Sequence, residues 1–430
     1  MKCPTSGSEG FCVYPFISVY RQPNGKVAPC CVAQFSEEKI DSPHLNDYIN
    51  SEYMKKYRIE MLQDKLPEGC RVCKGQEEST QNSPRINMNR EYAKYIDDAK
   101  DMTDNNTGII DPERFRMRYF DMRTSNICNF KCRSCNQEYS SQWQAENDRT
   151  GYDSSKGLRI VDLTPNMPTT VIDEVAEKCE DIETAYFAGG EPLIMDDHYK
   201  LLYALAEQNP DVRLRYNTNL SNLNYKNHDL LDLWSRFNNK VEVVASIDHY
   251  GPRAEYIRSG TKWNKQLENL HAVANFDNVD LTLSAVVTVF NFLTLDQLIR
   301  YLYQEQLIVP GGIADEGLGA DGIKIDSILG VYPAQDPAWL SAKALPPDLK
   351  AEGIQRVEYV IKQLEEWGFN GDHDTGSQGT QLQHILNFVK SEDTWEQQKL
   401  NFWEDNHRLD QVRGENFVET FPELERMMRG

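Results

Sequence analysis

Three cysteines crowd into one short stretch of this chain, Cys128, Cys132 and Cys135, within the run NICNFKCRSCNQ. A loop so rich in thiols is built for a metal centre, a disulfide with a spare thiol, or thiol chemistry. The C-x3-C-x2-C spacing narrows the choice. Structural zinc favours four ligands and C-x2-C knuckles, which an odd triplet with a three-residue gap fits poorly. Three thiolates on one tight loop can instead hold three corners of a cubane iron–sulfur cluster. The fourth iron then has no protein ligand, and a substrate or cofactor can chelate it.

The remaining cysteines are Cys3, Cys12, Cys30, Cys31, Cys70, Cys73 and the isolated Cys179. The first ten residues, MKCPTSGSEG, lack the basic-then-apolar pattern of a secretory signal. No apolar run approaches the roughly 20 residues that cross a bilayer. The expected location is therefore the cytosol, with no membrane partner, where clustered cysteines bind metal or do chemistry more often than they form disulfides. The formal charge of -21 argues against a broad nucleic-acid-binding face, which needs clustered Lys and Arg.

At 430 residues the chain has room for one large α/β domain with smaller additions. Residues 1–80 are cysteine- and turn-rich, with a β-like stretch at 16–20 ahead of Pro23-Asn24-Gly25, and the polar segment 81–114 contains the linker-like run DNNTG. From about residue 115 short β-branched or aromatic runs, at 116–122, 184–188, 212–216, 241–246, 281–289 and 322–328, alternate with amphipathic stretches at 171–178, 198–207 and 293–303. This alternation implies parallel βαβ units over 115–335, in an open sheet or a partial barrel. Beyond, 336–430 reads as helical: Ile354, Val357, Ile361 and Leu364 recur at helical spacing ahead of Gly368, and a second helix is centred on Leu382, Ile385, Leu386 and Val389. The polar and aromatic tail from Asn401 is expected to pack over the barrel mouth. Cys179 reads as a packed thiol within a helix.

The cysteine triplet after a first strand resembles the radical S-adenosylmethionine (SAM) superfamily. The next strand strengthens the resemblance, because Tyr186-Phe187-Ala188 runs into Gly189-Gly190-Glu191-Pro192, similar to that family's GGEP motif. Glycines permit close backbone approach to a ligand, and Glu191 can accept a hydrogen bond from an ammonium group. Asn217-Thr218-Asn219 is similar to the family's strand end that contains Thr-Asn, and Ser246-Ile247-Asp248 lies where a polar residue meets the SAM ribose. Arg258 stands where relatives place an arginine on the SAM carboxylate, a bidentate task for a guanidinium. Each has a plainer reading: Asn219 as a helix cap, Ser246 as a turn residue, Arg258 in a surface ion pair. The resemblance implies a partial (β/α)6 TIM-like barrel with a 4Fe–4S cluster on Cys128, Cys132 and Cys135 and SAM on its open iron. One departure is Ser134, where many relatives carry an aromatic residue.

The N-terminal module resembles the twitch form of the SPASM domain: Cys12, a spacer, Gly25, four residues, Cys30, then Cys70 and Cys73 as C-x2-C. Gly25 suits a tight hairpin that brings the flanking cysteines together. The resemblance implies a second, auxiliary 4Fe–4S cluster on Cys12, Cys30, Cys70 and Cys73; the same spacing also permits zinc. Cys3 and Cys31 are read as spare. In most relatives this module follows the barrel, whereas here it precedes it.

The activity implied is reductive cleavage of SAM to a 5′-deoxyadenosyl radical that takes hydrogen from a substrate. The electron would come from an external donor such as flavodoxin or ferredoxin. The substrate implied is a peptide or protein side chain, oxidised or crosslinked with the auxiliary cluster as electron acceptor. The alternatives are dehydrogenation or cyclisation of a small alcohol, aminocyclitol or nucleotide, and a non-catalytic iron–sulfur or zinc scaffold. Asp326, closing the sixth expected strand, is a candidate base.

Overall fold

A computed structural model describes residues 10–80, 83–150, 170–310, 329–369 and 378–428. Its strands are β1 (Tyr20–Arg21), β2 (Val27–Ala28), β3 (Tyr119–Met122), β4 (Lys131–Cys132), β5 (Thr184–Phe187), β6 (Arg213–Thr218), β7 (Asn224–Tyr225), β8 (His228–Asp229), β9 (Val241–Ser246), β10 (Arg258–Ser259), β11 (Val279–Val287) and β12 (Leu329–Pro333). Eight of them form one sheet in the order β12-β11-β9-β6-β5-β3-β1-β2.

Strands β3, β5, β6, β9, β11 and β12 pair in parallel, neighbour to neighbour. Helices Val171–Glu177, Asp196–Gln208, Trp263–Ala274 and Leu295–Gln304 lie between strands in the chain. This is the expected partial α/β barrel. In β9, Val241, Val243 and Ala245 are buried whereas Glu242, Val244 and Ser246 are half-buried. The period of two thus puts the apolar face against the helices and the polar face into the barrel. Tyr119, Tyr186, Arg215, Asn217, Glu242 and Val244 line a cavity of about 130 Å³ on that inner side. The sixth strand lies at Leu329–Pro333; the expected strand at 322–328, with Asp326, falls outside the described residues.

Both ends of the sheet are managed. The β1–β2 hairpin turns at Gly25, whose φ is +83°, and β1 joins the barrel as a parallel neighbour of β3, pairing Tyr20 with Asp121. The Arg21 guanidinium donates to the carbonyls of Arg123 (3.1 Å) and Thr124 (3.3 Å), on the segment that leads to the cysteine triplet. At the far edge, the Gln378 side chain accepts from Leu329 N (2.7 Å) and donates to Leu329 O (2.9 Å), so a C-terminal helix satisfies the exposed strand backbone. The N-terminal module is therefore part of the barrel sheet although it precedes the barrel in the chain.

Several expectations need correction. Residues 16–20 are not one strand: a helical turn, Tyr14–Ile17, precedes β1. The segment 81–114 is more than a linker, because helices Pro84–Glu91 and Ile96–Asp101 bury Ile86, Met88 and Ile96. Cys179 is a buried thiol, but in a 3-10 turn just past its helix. Phe11 and Met427 belong to one continuous apolar core, so the expected segments do not form separate cores.

His198, on the helix Asp196–Gln208, is enclosed beside Phe187 and meets the Tyr216 hydroxyl at 2.9 Å. Burial, and then His228, push its pKa down to about 3 from an ordinary 6.5. The unfolded chain therefore takes up a proton near pH 6.5 that the folded chain refuses. The stability tied to neutral His198 is complete above that pH and is lost as pH falls toward 3. The His198→Gln variant, which cannot titrate, should lose less stability on acidification, by about 1.4 kcal/mol per pH unit below 6. Denaturant unfolding of cluster-free protein between pH 6 and 4.5 measures this; parallel pH profiles would rule it out.

Candidate functional site

The cysteine triplet begins six residues beyond β3, at the carboxyl end of the sheet. Cys132 is buried, and Cys128 and Cys135 are half-buried. The Cys135 N–H donates to the Cys132 carbonyl at 3.0 Å, and the Phe130 N–H points at Cys128 Sγ at 3.4 Å. Burial is the largest influence on all three thiols and pushes Cys128 and Cys135 up to about 12. The three share one electrostatic neighbourhood: Cys132 raises both Cys128 and Cys135, while Arg258 pulls Cys132 and Cys135 down. A metal that binds such thiols takes their protons.

GGEP is the floor under this loop. A side chain on Gly190 would place its Cβ 2.2 Å from the Ile127 carbonyl oxygen, so only glycine lets the turn lie against the cysteine loop. The Glu191 N–H donates to that same carbonyl at 2.8 Å. Gly189 adopts φ +120° beside the Arg123 side chain. Pro192, also buried, opens a 3-10 turn that packs beneath.

Glu191 departs from the expected open acceptor for an ammonium group. Only 1% exposed, its carboxylate accepts from Thr218 Oγ1 (2.6 Å), Asn219 N (2.6 Å) and Leu193 N (3.1 Å). It works as a bolt between the ends of β5 and β6. Asn219 continues the connection, donating from Nδ2 to Asn129 Oδ1 at 3.0 Å inside the cysteine loop. It caps no helix; its own Oδ1 accepts from Ser221 N at 2.9 Å.

Ser246 ends β9 half-buried on the inner face, opposite Ser284 of β11. Asp248 is buried and fixes the arginine: its Oδ1 accepts from Val286 N (2.8 Å) and its Oδ2 from Arg258 Nη1 (3.1 Å). Arg258 is thus no surface ion pair. It lies in β10, which pairs antiparallel with β4 so that Arg258 faces Cys132 directly. Its Nε is buried with no hydrogen-bond partner. An orphaned guanidinium N–H beside buried thiols suits an anionic cluster and a carboxylate-bearing cofactor. The residues present fit the group.

The second set of cysteines also comes together. Cys12, Cys70 and Cys73 are buried and Cys30 is half-buried. Cys12 is raised by Cys70 and Cys73, Cys30 by Cys12 and Cys73, and Cys70 by Cys30 and Cys73, all after the larger effect of burial. Buried Arg85 pulls down Cys12, Cys70 and Cys73 and supplies the nearby positive charge an anionic centre needs. The same four thiols suit a cubane gripped at its corners or a tetrahedral zinc ion. Cys31 is exposed and lies near Asp121 and Arg123; Cys3 lies outside the described residues.

Sequence reasoning missed the charges on the inner face. Asp121, next to Arg123 (3.2 Å), is pushed up to about 6 by burial against the pull of that arginine. Arg215 pairs with Glu242 at 2.7 Å across β6 and β9. The signal was available, since a charge at alternate positions of an otherwise apolar or aromatic strand marks an inward polar face.

A partial parallel barrel with a thiol triplet beyond its first strand and a thiol-rich module along its edge defines the class. Residues 122–302 match the radical SAM superfamily, and residues 12–74 match the iron–sulfur cluster-binding domain named SPASM. The chain therefore carries a radical SAM domain, whose cofactors are a 4Fe–4S cluster and SAM, and a SPASM domain that binds further iron–sulfur. Among solved structures it is similar to native anSMEcpe with bound AdoMet and Cp18Cys peptide, at 15% identity, 56% of this chain, 59% of that chain and a TM-score of 0.36. It is also similar to Streptococcus suis SuiB bound to S-adenosylmethionine, at 10% identity, 81% of this chain, 67% of that chain and a TM-score of 0.33. The chain thus spans 59% of the first of these proteins, and at such scores the likeness bears on no functional detail. No curated protein matches. No helix among the described residues is long and apolar enough to cross a membrane.

Glu191→Gln keeps size and shape but puts an NH2 where an acceptor is needed. Whichever way the amide turns, a backbone N–H of Leu193 or Asn219 loses its acceptor. A loss of about 1–3 kcal/mol is expected in denaturant unfolding of the cluster-free protein; an unchanged unfolding midpoint would show that the carboxylate is not the bolt.

Proposed function

We propose that this chain is a radical SAM enzyme in which Cys128, Cys132 and Cys135 hold a 4Fe–4S cluster and leave one iron for SAM. The observation that carries the reading is Arg258, paired across β4–β10 with Cys132 and holding a buried, unpartnered Nε. When bound, the cluster and SAM supply reductive cleavage of the C5′–S bond to a 5′-deoxyadenosyl radical.

The chain's own residues do the positioning. Gly189 and Gly190 let backbone approach the cofactor, Glu191 and Asn219 hold the strand ends that shape its pocket, and Pro192 fixes the turn. Arg258 addresses the SAM carboxylate with Asp248 behind it, and Ser246 faces the ribose. The inner face of the barrel, with Asp121, Tyr186, Arg215 and Glu242, receives the substrate.

Cys12, Cys30, Cys70 and Cys73 would hold an auxiliary 4Fe–4S cluster, which would supply an acceptor for an electron from the substrate. Its place beside the barrel rests on β1, which joins β3 directly. The electron for SAM cleavage comes from a flavodoxin- or ferredoxin-like donor. The substrate that the resemblance to SPASM and twitch proteins implies is a peptide or protein side chain. A small alcohol, aminocyclitol or nucleotide is the second reading, favoured by the modest cavity of about 130 Å³. A non-catalytic scaffold would require neither Gly190 against the cysteine loop nor the unpartnered Nε of Arg258.

Anaerobic reconstitution with iron and sulfide, then SAM and dithionite, is expected to yield 5′-deoxyadenosine. Cys128→Ala, Cys132→Ala and Cys135→Ala should each abolish it, whereas Cys70→Ala and Cys73→Ala should lose iron yet still cleave SAM. No 5′-deoxyadenosine from a fully loaded, reduced wild type would defeat the reading, and zinc in place of iron at the N-terminal cysteines would defeat its auxiliary half.

A further inference from the structure

The charged residues of the C-terminal helix Trp395–Arg413 and of the turn after it enter none of the steps above. They close instead on the loop between two of the cysteines. Arg133 lies between Cys132 and Cys135, with its side chain only 1% exposed. Its Nη1 donates to Asn406 Oδ1 (2.7 Å), its Nη2 to Asp410 Oδ1 (2.6 Å) and Glu415 Oε2 (2.7 Å), and its Nε to the Tyr256 carbonyl (3.3 Å). The guanidinium carbon stands 3.7 Å from the centre of the Tyr256 ring. Four acceptors in different directions match a planar guanidinium fork and no other side chain.

A second bracket closes on the other side of Cys132. Glu146, buried at 2% side-chain exposure, joins Lys131 to Arg413, itself 1% exposed and 2.9 Å away. Trp143, under the Arg413 guanidinium, donates from Nε1 to the Cys132 carbonyl at 2.8 Å. Buried charges are tolerated only when paired, and here two carboxylates on Arg133 and two cations on Glu146 balance one another. Glu415 reaches further: besides Arg133 it accepts from the Ser259 hydroxyl, next to Arg258. One C-terminal carboxylate therefore ties together both strands of the β4–β10 ribbon, on which Cys132 and Arg258 face each other.

We infer that the C-terminal helix is a clasp on the cysteine ribbon, and that Arg133 and Glu415 are positioning residues that set the register between the cluster ligands and the arginine that addresses SAM. The inference rests on the proposed ligand roles of Cys132 and Arg258. Neither Arg133 nor Glu415 needs to touch the cluster or SAM. Each acts through its neighbour in the chain, Arg133 on Cys132 and, through Ser259, Glu415 on Arg258.

The test uses the full chain, reconstituted anaerobically, as wild type, Arg133→Lys, Arg133→Ala and Glu415→Gln. Iron per chain, the EPR spectrum of the reduced protein with and without SAM, and the affinity for SAM are measured beside thermal unfolding. In Glu415→Gln the expected result is near wild-type iron content with SAM affinity weakened about 10- to 100-fold and a diminished SAM-induced change in the EPR signal. Arg133→Lys should do the same, because an ammonium cannot serve four divergent acceptors. Should Arg133→Ala fail to fold, the two milder variants decide. A merely stabilising role would lower the unfolding midpoint but leave SAM affinity and the EPR response at wild-type values, and that result overturns the inference. A wild type that takes up iron but shows no response to SAM overturns the inference together with the functional reading. A responsive wild type with unchanged variants overturns the inference alone.

Discussion

The backbone contact between Gly190 and the Ile127 carbonyl sets the geometry on which the rest of the site depends. A Cβ at residue 190 would stand 2.2 Å from that oxygen, so the turn after β5 can support the cysteine loop only as glycine. Glu191 then locks the turn from below, accepting from Thr218 and Asn219 at the end of β6 and from Leu193 within its own turn. Three thiols on a short irregular loop have little secondary structure of their own, and their like charges as thiolates repel. Their spacing has to be imposed from outside, by the floor of GGEP and by the β4–β10 ribbon that pairs Cys132 with Arg258.

The N-terminal module extends the same logic along the sheet. Its hairpin adds β1 to the barrel beside β3, and Arg21 ties it to the carbonyls just ahead of the triplet. Two cysteine sets far apart in sequence are thereby fixed relative to one sheet, with Asp121, Arg123 and Tyr20 packed at the seam.

Much of the barrel was legible in the sequence because its signals are local. Alternation in 241–246 and the run 184–188 mark strands without any knowledge of what packs on them, and both were placed to within a residue. Residues 16–20 misled because buried aromatic and aliphatic side chains also suit a short helical turn in a continuous core. The polar composition of 81–114 hid two helices whose buried positions are few and spaced among charges. The residue types of the site were readable, but not their partners. Glu191 was expected to await an ammonium group and instead bonds to protein, and nothing near Arg133 in sequence announces Asn406, Asp410 and Glu415. Such long-range pairing is a property of the tertiary fold alone.

Mössbauer spectroscopy of the iron-loaded protein, recorded with and without SAM, tests most directly whether the triplet holds a cubane with a vacant corner. With the vacancy present, SAM should change the signal of a single iron of one cluster to that of a site with nitrogen and oxygen ligands, and leave the remaining iron in sulfur environments. Spectra that are identical with and without SAM, although SAM is present in excess, would contradict it.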